Sequence, residues 1–238
     1  MHPDRVVVLV GAGLSAASGI PTFRGPDGLW EGHEVTRVAT PEAWWADPPL
    51  VRRFYDERRL HVATCRPNAG HEALARWQEA WGPSRVVIVS QNIDGLIQAA
   101  GAPEVLDLHG SLHRLRCERD EAHPTVAVAG RQDPDATCAV CGARLRPDVV
   151  WFGEVPRFLD RIEEAVLRAD TFVAVGTSGL VYPAAGFGRV AHRVGAHTVE
   201  VNPEPSGAPW FAEVVAEGSE TALPRLVDAW VAGSAARR

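Results

Sequence analysis

An uninterrupted run of aliphatic residues near the start of the chain restricts its fold more than any other segment. The run covers Val6–Val10 and is followed at once by Gly11-Ala12-Gly13-Leu14-Ser15-Ala16. A strand that is apolar at every position is buried on both faces, which is typical of a parallel sheet covered by helices. The next segment matches G-x-G-x-x-A, in which the glycines permit a tight turn out of a strand. Together the two features predict an open α/β sheet.

Further segments repeat this pattern along the chain. Strand character is found in residues 85–90, 104–108, 171–176 and 197–202, and helical periodicity in residues 72–81 and 159–168. Three of these strands end in glycine, serine or asparagine, the small polar residues found where ligands meet the strand ends of α/β sheets. Helices between strands are what successive parallel strands require. We therefore predict an α/β fold with a Rossmann-like parallel sheet and a smaller inserted lobe.

Two stretches interrupt the alternation of strands and helices. Residues 31–81 contain four of the eight tryptophans and have mostly helical character, whereas residues 112–150 are rich in turns and contain three of the four cysteines. We expect one domain over residues 1–238, with a small lobe formed by these helical and cysteine-containing insertions. The large lobe would then consist of residues 1–30, 82–111 and 151–238.

Composition and charge narrow the classes of function. All 24 basic residues are arginine, and the formal net charge is −6 at pH 7. The lack of lysine excludes lysine nucleophiles and a Walker lysine. The negative charge argues against nucleic acid as a partner, because a general nucleic-acid binder needs a basic face. No apolar run approaches the ~20 residues that span a bilayer and no leader pattern is present, so we expect a cytoplasmic protein without a membrane partner.

The glycine-rich turn by itself is compatible with two interpretations. It could hold a dinucleotide, because glycines let the backbone approach a pyrophosphate at a helix N-terminus, or it could be a strand-to-helix turn without a ligand. A dehydrogenase is disfavoured, since that class has an acidic residue at the end of a second strand about 20 residues further on. In this chain residues 18–25 have the character of a loop.

A series of short motifs extends over nearly the whole chain. The motifs are Gly11-Ala12-Gly13-x-Ser15-x-x-Ser18-Gly19-Ile20-Pro21-Thr22-Phe23-Arg24, Gln91-Asn92-Ile93-Asp94-Gly95-Leu96, His109-Gly110, a cysteine module, Arg146-Pro147-x-Val149-Val150-Trp151-Phe152-Gly153-Glu154, Gly176-Thr177-Ser178 and Val201-Asn202. In content and order this series resembles the motifs of sirtuins, a family of NAD-dependent protein-lysine deacylases. The resemblance implies a catalytic domain that uses NAD as co-substrate and acyl-lysine proteins as substrates. In that reaction the acyl oxygen attacks the NAD ribose, nicotinamide leaves, and free lysine and O-acyl-ADP-ribose are formed.

The resemblance also assigns roles to individual residues. His109 would be the general base toward a ribose hydroxyl, a task that suits an ordinary histidine pKa of about 6.5. Asn92 and Asp94 would surround the nicotinamide carboxamide, which needs both a donor and an acceptor opposite it. Phe23 would shield the reactive ribose, and Arg24 would contact phosphate or sugar. The other residues implied to bind NAD are Gly11, Ala12, Gly13, Ser15, Gln91, Ile93, Gly176, Thr177, Ser178, Asn202 and Ser219.

A tyrosine and an arginine three residues apart indicate the acyl chain. Tyr55 and Arg58 resemble the Tyr-x-x-Arg pair of class III (CobB-type) sirtuins, in which the two residues receive an acidic acyl group. At this spacing they share one face of a helix, and a guanidinium beside a phenol suits a terminal carboxylate such as succinyl or malonyl. The alternative is a half-buried tyrosine covered by an arginine stem, which is common on helices.

The cysteine module departs from the family's usual pair of Cys-x-x-Cys motifs. Cys138 and Cys141 form the second pair, but Asp120 stands where the partner of Cys117 is expected. A structural zinc site needs four ligands, and a carboxylate or imidazole can replace a thiolate. Asp120 or His123 could complete the site, or the loop could fold without metal. Cys65 has no motif partner and is expected to be a buried apolar residue.

Three other functions remain open at this point. The same activated ribose could react with water or another nucleophile, which would make the chain an NAD hydrolase or a mono-ADP-ribosyltransferase. Neither of these reactions needs the acid-chain receptor that Tyr55 and Arg58 would form. An NAD-sensing binding module without catalysis is the third possibility, and the presence of Asn92, Asp94 and His109 argues against it.

Overall fold

Helices alternate with parallel strands along most of the chain. The computed structural model describes residues 4–22, 29–30 and 33–235. Within these ranges the strands are β1 (Val6–Val10), β2 (Leu29–Trp30), β3 (His33–Glu34), β4 (Val86–Ser90), β5 (Val105–Asp107), β6 (Gly110–Cys117), β7 (Val126–Ala127), β8 (Leu145–Val149), β9 (Thr171–Val175), β10 (His197–Val201) and β11 (Glu213–Val215). The α-helices are α1 (Val35–Val38), α2 (Pro41–Ala46), α3 (Pro48–Val62), α4 (Ala69–Trp81), α5 (Leu96–Ala99), α6 (Leu159–Leu167), α7 (Phe187–Arg193) and α8 (Ser219–Ala235), and two 3-10 helices cover Ala12–Ser18 and Ala184–Gly186. None of the helices in these ranges has the length and apolar content needed to cross a bilayer.

The main sheet has six parallel strands in the order β11-β10-β9-β1-β4-β5. Strand β1 lies between β9 and β4, with Val6 paired to both Thr171 and Val86. Every residue of β1 is buried, as expected for a strand covered on both faces. The predicted α/β class and the five predicted strand segments are therefore confirmed. The sixth strand, β11, was not predicted, because three mostly exposed residues at a sheet edge leave no apolar pattern.

Two apolar layers cover the main sheet, one on each face. Alternate residues of β1 point to opposite layers, so Val8 packs with Trp77 of α4, whereas Leu9 packs with Ile162 of α6. Helix α4 therefore packs on the main sheet, although the sequence pattern places residues 69–81 with the small lobe. The physical reason is that α4 and the C-terminal helix α8 share one layer through stacked rings of Trp77 and Trp230.

A second, antiparallel sheet carries the cysteine module. Its strand order is β7-β6-β8, and it continues from the main sheet through His109. Helices α1–α3 pack against this sheet through an apolar cluster that includes Trp44, Tyr55, Leu112 and Trp151. The chain enters this small sheet after β5 and leaves it after β8, and the three helices cover the sheet through the shared apolar cluster.

Candidate active site

Two glycine-rich loops pack back to back at the carboxyl end of the main sheet. A Cβ atom on Gly13 would lie 2.6 Å from the Cα of Gly176, and one on Gly176 would lie 2.6 Å from the carbonyl carbon of Gly13. Gly176 also has a φ of 56°, which disfavours any side chain. The backbone of Gly13 donates to the oxygen of Gly176 at 2.9 Å. Glycine is therefore required at both positions for the loops after β1 and β9 to meet.

A buried hydrogen-bond network centred on Ser15 joins three segments at this edge. The Oγ of Ser15 donates to Oδ2 of Asp94 at 2.7 Å. The same oxygen lies 3.2 Å from Nε2 of His71 and accepts from Nδ2 of Asn92 at 3.2 Å. Nδ1 of His71 accepts from the Asn68 backbone at 3.2 Å, so the ring proton lies on Nε2, which donates to Ser15. Burial lowers the pKa of His71 to about 4, so this ring is neutral at pH 7.

Hydrogen bonds from two neighbouring groups fix the Asp94 carboxylate. Its Oδ2 accepts from Ser15, and its Oδ1 accepts from the backbone of Leu96 at 2.8 Å. Its backbone oxygen lies 2.9 Å from Nε2 of His113. Burial raises the pKa of Asp94, and the bonds from Leu96 and Ser15 act in the opposite direction. Asn92 is fixed beside it through a second bond, from Nδ2 to the oxygen of Gly11 at 3.0 Å.

His109 is oriented as a base. Its Nδ1 lies 3.0 Å from the backbone oxygen of Gln91, which can only accept, so Nδ1 carries the proton and Nε2 has the lone pair. Burial lowers the pKa of His109, and the Gln91 bond raises it by a smaller amount, so the ring is mainly neutral at pH 7. The next residue, Gly110, has a φ of 81° and touches the Asp148 backbone, where a Cβ has no room. The tight turn therefore fixes the half-buried ring where β5 gives way to β6.

The residues predicted for the adenosine and phosphate side also meet at the carboxyl ends of the strands. Asn202 donates from Nδ2 to the oxygen of Thr177 at 3.0 Å, which ties the loop after β10 to the loop after β9. Ser219 is buried at the start of α8, with its Oγ 3.5 Å from the oxygen of Gly13. Thr177 and the exposed Ser178 line a largely apolar cavity of about 250 Å³. Ala12 is partly buried after β1, and Gln91 and Ile93 are partly buried in the loop after β4.

Two of the predicted residues lie outside the part of the chain that the structure describes. Phe23 and Arg24 belong to residues 23–28, between the described ranges 4–22 and 29–30. Their assignment to the ribose and to phosphate or sugar stays a prediction. The segment that leads to them is described as far as Thr22, which is exposed.

Tyr55 and Arg58 are both buried on helix α3. The hydroxyl of Tyr55 accepts from Nε1 of Trp151 at 2.9 Å, and burial raises the pKa of Tyr55 well above its usual range. The Arg58 guanidinium lies over the Phe54 ring, 3.6 Å from its centroid, and donates to the Phe54 oxygen. Both side chains belong to the small-lobe side of the molecule, where Tyr55 packs with Leu112 and Trp151.

Four side chains of the small sheet form a candidate metal site. The sulfur atoms of Cys117, Cys138 and Cys141 and one ring nitrogen of His123 all lie within 4.8 Å of one another. Cys117 and Cys141 are 3.5 Å apart through their sulfur atoms, and Nδ1 of His123 is 3.4 Å from the Cys138 sulfur. Tetrahedral zinc with bonds of about 2.0–2.3 Å separates its ligand atoms by about 3.5–3.8 Å. The donor set and the spacing therefore fit a structural zinc ion.

The structure corrects the predicted role of Asp120. This carboxylate is not one of the four converging groups. Its Oδ2 lies 3.6 Å from Nε2 of His123, on the side of the ring away from the thiols. His123, and not Asp120, therefore completes the group of four side chains that could hold a metal ion. A carboxylate behind a metal-binding histidine orients the ring and makes it a stronger ligand. Cys65 is buried away from this cluster, as predicted.

Residues that sequence reasoning missed include His71, Asn68 and His113. Asn68 and His71 form the capping box of α4, and they also contact the site, because Asn68 donates to Oγ of Ser18 and His71 bonds to Oγ of Ser15. An Asn-x-x-His spacing is an ordinary helix start, so no sequence signal marks it as part of the site. His113 lies in β6, four residues after His109. Only the structure shows that its Nε2 contacts the backbone oxygen of Asp94.

Comparisons with known proteins agree with this geometry. Residues 11–183 match the model of the Sir2 family. Two similar proteins are named NAD-dependent protein deacylase: one from Escherichia coli K12 is 47% identical over 98% of this chain and 84% of its own length. The other, from Shewanella oneidensis, is 46% identical over 97% of this chain and 96% of its own length.

Solved structures show the same similarity. A Sir2 homologue mutant in complex with ADP-ribose has a TM-score of 0.88 and 35% identity over 99% of this chain and 95% of its own. A Sir2 homologue in complex with NAD has a TM-score of 0.87 and 35% identity over 97% and 91% of the two chains. This chain belongs to the Sir2 family, because the family model covers most of its length and its relatives are more than 40% identical to it.

Proposed function

We propose that this chain is an NAD-dependent protein-lysine deacylase that transfers the acyl group to ADP-ribose. The observation that carries the proposal is His109, a neutral imidazole with Nδ1 bound to the Gln91 oxygen and its basic Nε2 at the carboxyl end of the sheet. The same edge holds the Ser15, Asn92 and Asp94 network. Relatives that match the chain over nearly its full length are named for this activity.

The residues at this edge suit NAD as a co-substrate. The buried start of α8 at Ser219 lies beside the Gly13 loop and contributes the positive end of a long helix. A helix N-terminus favours the negatively charged pyrophosphate. NAD supplies an activated bond between nicotinamide and ribose, whose cleavage drives the transfer.

Asn92 and Asp94 would orient the nicotinamide carboxamide. The Asp94 oxygens already accept from Ser15 and Leu96, but each carboxylate oxygen has a second lone pair. The carboxylate can thus accept from the carboxamide N–H while its position stays fixed. His109 then takes up a proton at Nε2 from a ribose hydroxyl, because its Nδ1 is committed to Gln91.

Tyr55 and Arg58 would make acidic acyl chains the preferred substrates. Burial of a guanidinium beside a protonated phenol provides a partner for a terminal carboxylate, such as that of succinyl-lysine or malonyl-lysine. A neutral acetyl group gains nothing from this pair.

The acylated proteins themselves are expected in the cytoplasm, since four cysteines without disulfides suit a reducing compartment.

The acyl pocket is tested with Arg58→Met, with Arg53→Met as a matched control on the exposed side of the same helix. Loss of a charged hydrogen bond of about 1.5–3 kcal/mol should lower kcat/KM for succinyl-lysine roughly 10- to 150-fold. Deacetylation should change little, and the Arg53 variant should behave as the parent. An equal loss of both activities in Arg58→Met would refute the acyl pocket.

The reaction class is tested by mass spectrometry of paired acetyl-lysine and succinyl-lysine peptides, incubated with and without NAD. The proposal predicts NAD-dependent removal of both groups, faster for succinyl, and its loss in His109→Ala. His192→Ala, an exposed histidine on α7, is the control and should retain activity. Release of nicotinamide without any change in the peptides would instead indicate NAD hydrolysis or ADP-ribosyl transfer.

A further inference from the structure

The side chain that holds the Tyr55 hydroxyl lies outside the residues so far assigned to the acyl pocket. We propose that Trp151 is a positioning residue that sets the preference for acidic acyl chains by fixing the Tyr55 phenol. This inference rests on the proposed acyl pocket of Tyr55 and Arg58. It assigns a role to the first residue of the Trp151-Phe152-Gly153-Glu154 motif.

The hydrogen bond between the two rings has only one possible direction. The indole Nε1 of Trp151 is a donor without acceptor capacity, and it lies 2.9 Å from the Tyr55 oxygen. The tyrosine oxygen therefore accepts this bond, and its own hydrogen is directed to a different acceptor. In the substrate complex that acceptor would be the terminal carboxylate of the acyl chain. Both side chains are at most 2% exposed, so water does not replace either partner.

Trp151 is itself held on two sides. The guanidinium of Arg146 lies over the indole, 3.3 Å from its centroid. Arg146 forms a bidentate pair with Glu154 at 2.7 and 2.9 Å, and Glu154 also accepts from the Trp151 backbone at 2.8 Å. Arg116 adds a further bond to Glu154 at 2.8 Å. The indole is thus fixed by a buried, charge-assisted network, and a fixed donor restricts the rotation of the Tyr55 hydroxyl.

The arrangement matters for charged acyl groups only. Burial raises the pKa of Tyr55, which keeps the phenol protonated and able to donate to a carboxylate. A bond from an indole N–H to the phenol oxygen also makes the O–H a stronger donor, because hydrogen bonds in a chain polarise one another. An acetyl group has no carboxylate to accept this proton. Removal of the indole N–H should therefore weaken binding of succinyl-lysine and leave acetyl-lysine nearly unaffected.

The test compares Trp151→Phe, Tyr55→Phe and the double variant, with Trp44→Phe as the matched control. Trp44 is a buried neighbour whose ring centroid lies 5.9 Å from that of Trp151, but its indole donates to Glu118 rather than to Tyr55. Steady-state kcat and KM are measured with succinyl-lysine and acetyl-lysine peptides at saturating NAD. Thermal unfolding of each variant verifies that it is folded.

We expect Trp151→Phe to raise KM for the succinyl peptide about three- to tenfold, the range for one hydrogen bond, with little change in kcat. KM for the acetyl peptide and both constants of Trp44→Phe should stay near those of the parent. The double variant should be no worse than Tyr55→Phe alone, because both changes remove the same interaction.

Equal effects of Trp151→Phe on the two peptides, or losses that add to those of Tyr55→Phe, would overturn the positioning role while leaving the acyl pocket intact. Equal effects of Tyr55→Phe itself on both peptides would overturn the acyl pocket, and the role of Trp151 with it. If Trp151→Phe does not fold, Glu154→Gln weakens the same network and should produce the same selective rise in KM. An unselective change in Glu154→Gln would then count against the role.

Discussion

Removal of the Ser15 hydroxyl should destabilise the whole protein, because three neighbouring side chains, two of them buried, depend on it. Ser15→Ala deletes the 2.7 Å bond to Asp94 and the acceptor that both His71 and Asn92 use at 3.2 Å. Asn92 retains its bond to Gly11, so its loss is partial. His71 is fully buried, and its Nε2 proton would have no acceptor among the groups that the structure places around it.

The magnitude follows from these partners. A hydrogen bond to a charged group contributes about 1.5–3 kcal/mol, and an unsatisfied buried donor costs about 1–3 kcal/mol. The sum predicts a loss of about 2.5–6 kcal/mol in the free energy of unfolding. At roughly 2–4 °C per kcal/mol for a domain of this size, the melting temperature should fall by about 5–24 °C.

Denaturant unfolding at pH 7 measures the change in free energy. Thr64→Ala is the control, because this exposed threonine donates its hydroxyl to the backbone oxygen of His61 at the surface, where water can replace the bond. The control should lose at most about 1 kcal/mol. A loss below about 1 kcal/mol in Ser15→Ala would show that the network contributes little to the stability of the fold.

Other predictions concern pH and metal. Because the pKa of His71 falls from 6.5 to about 4 on folding, the unfolded state takes up the proton first as the pH drops. Between pH 6.5 and 5 the parent should therefore lose about 1.6 kcal/mol more stability than His71→Gln, because the slope rises toward about 1.4 kcal/mol per pH unit as the unfolded histidine becomes protonated. Catalysis needs neutral His109, whose pKa is lowered, so kcat/KM should rise with pH through a midpoint below 6.5; a midpoint above 6.5 would argue against this base. Zinc analysis after purification should find the metal absent from His123→Ala but present in Asp120→Asn, with affinity reduced about 10- to 100-fold. Loss of zinc only in Asp120→Asn would reverse the assigned ligand set.

The main sheet could be predicted from sequence because its strands are buried on both faces. A run such as Val6–Val10 has no amphipathic alternation and ends in glycine, so it indicates both the strand and the strand end where ligands bind. The glycine pattern also predicts a close approach, although only the structure shows that Gly13 meets Gly176 across two loops.

The position of α4 and the chemistry of the metal site could not be predicted in the same way. Periodicity marks residues 72–81 as a helix but does not say which sheet its apolar face covers. In the structure Trp77 packs on β1 rather than on the small sheet. Asp120 and His123 are both plausible ligands by residue type, and their choice depends on which side of the loop faces the thiols.

The interactions around Ser15 and Tyr55 are also invisible in sequence. Ser15 and His71 are 56 residues apart, and Tyr55 and Trp151 are 96 residues apart. Neither spacing has a local pattern, since such contacts arise only when loops and helices from different parts of the chain pack together. The resemblance to sirtuins indicated which residues matter, and the structure supplied the contacts through which they are held.

The destination of the acyl group is the most direct test of the proposed function. Mass spectrometry of the small-molecule products, with a succinyl-lysine peptide and NAD as substrates, would follow nicotinamide, free succinate and succinylated ADP-ribose together. Transfer through the site of His109 predicts that nicotinamide, deacylated peptide and acyl-ADP-ribose appear in equal amounts. Formation of free succinate at the rate of deacylation, without nicotinamide or acyl-ADP-ribose, would show a simple hydrolase and contradict the account.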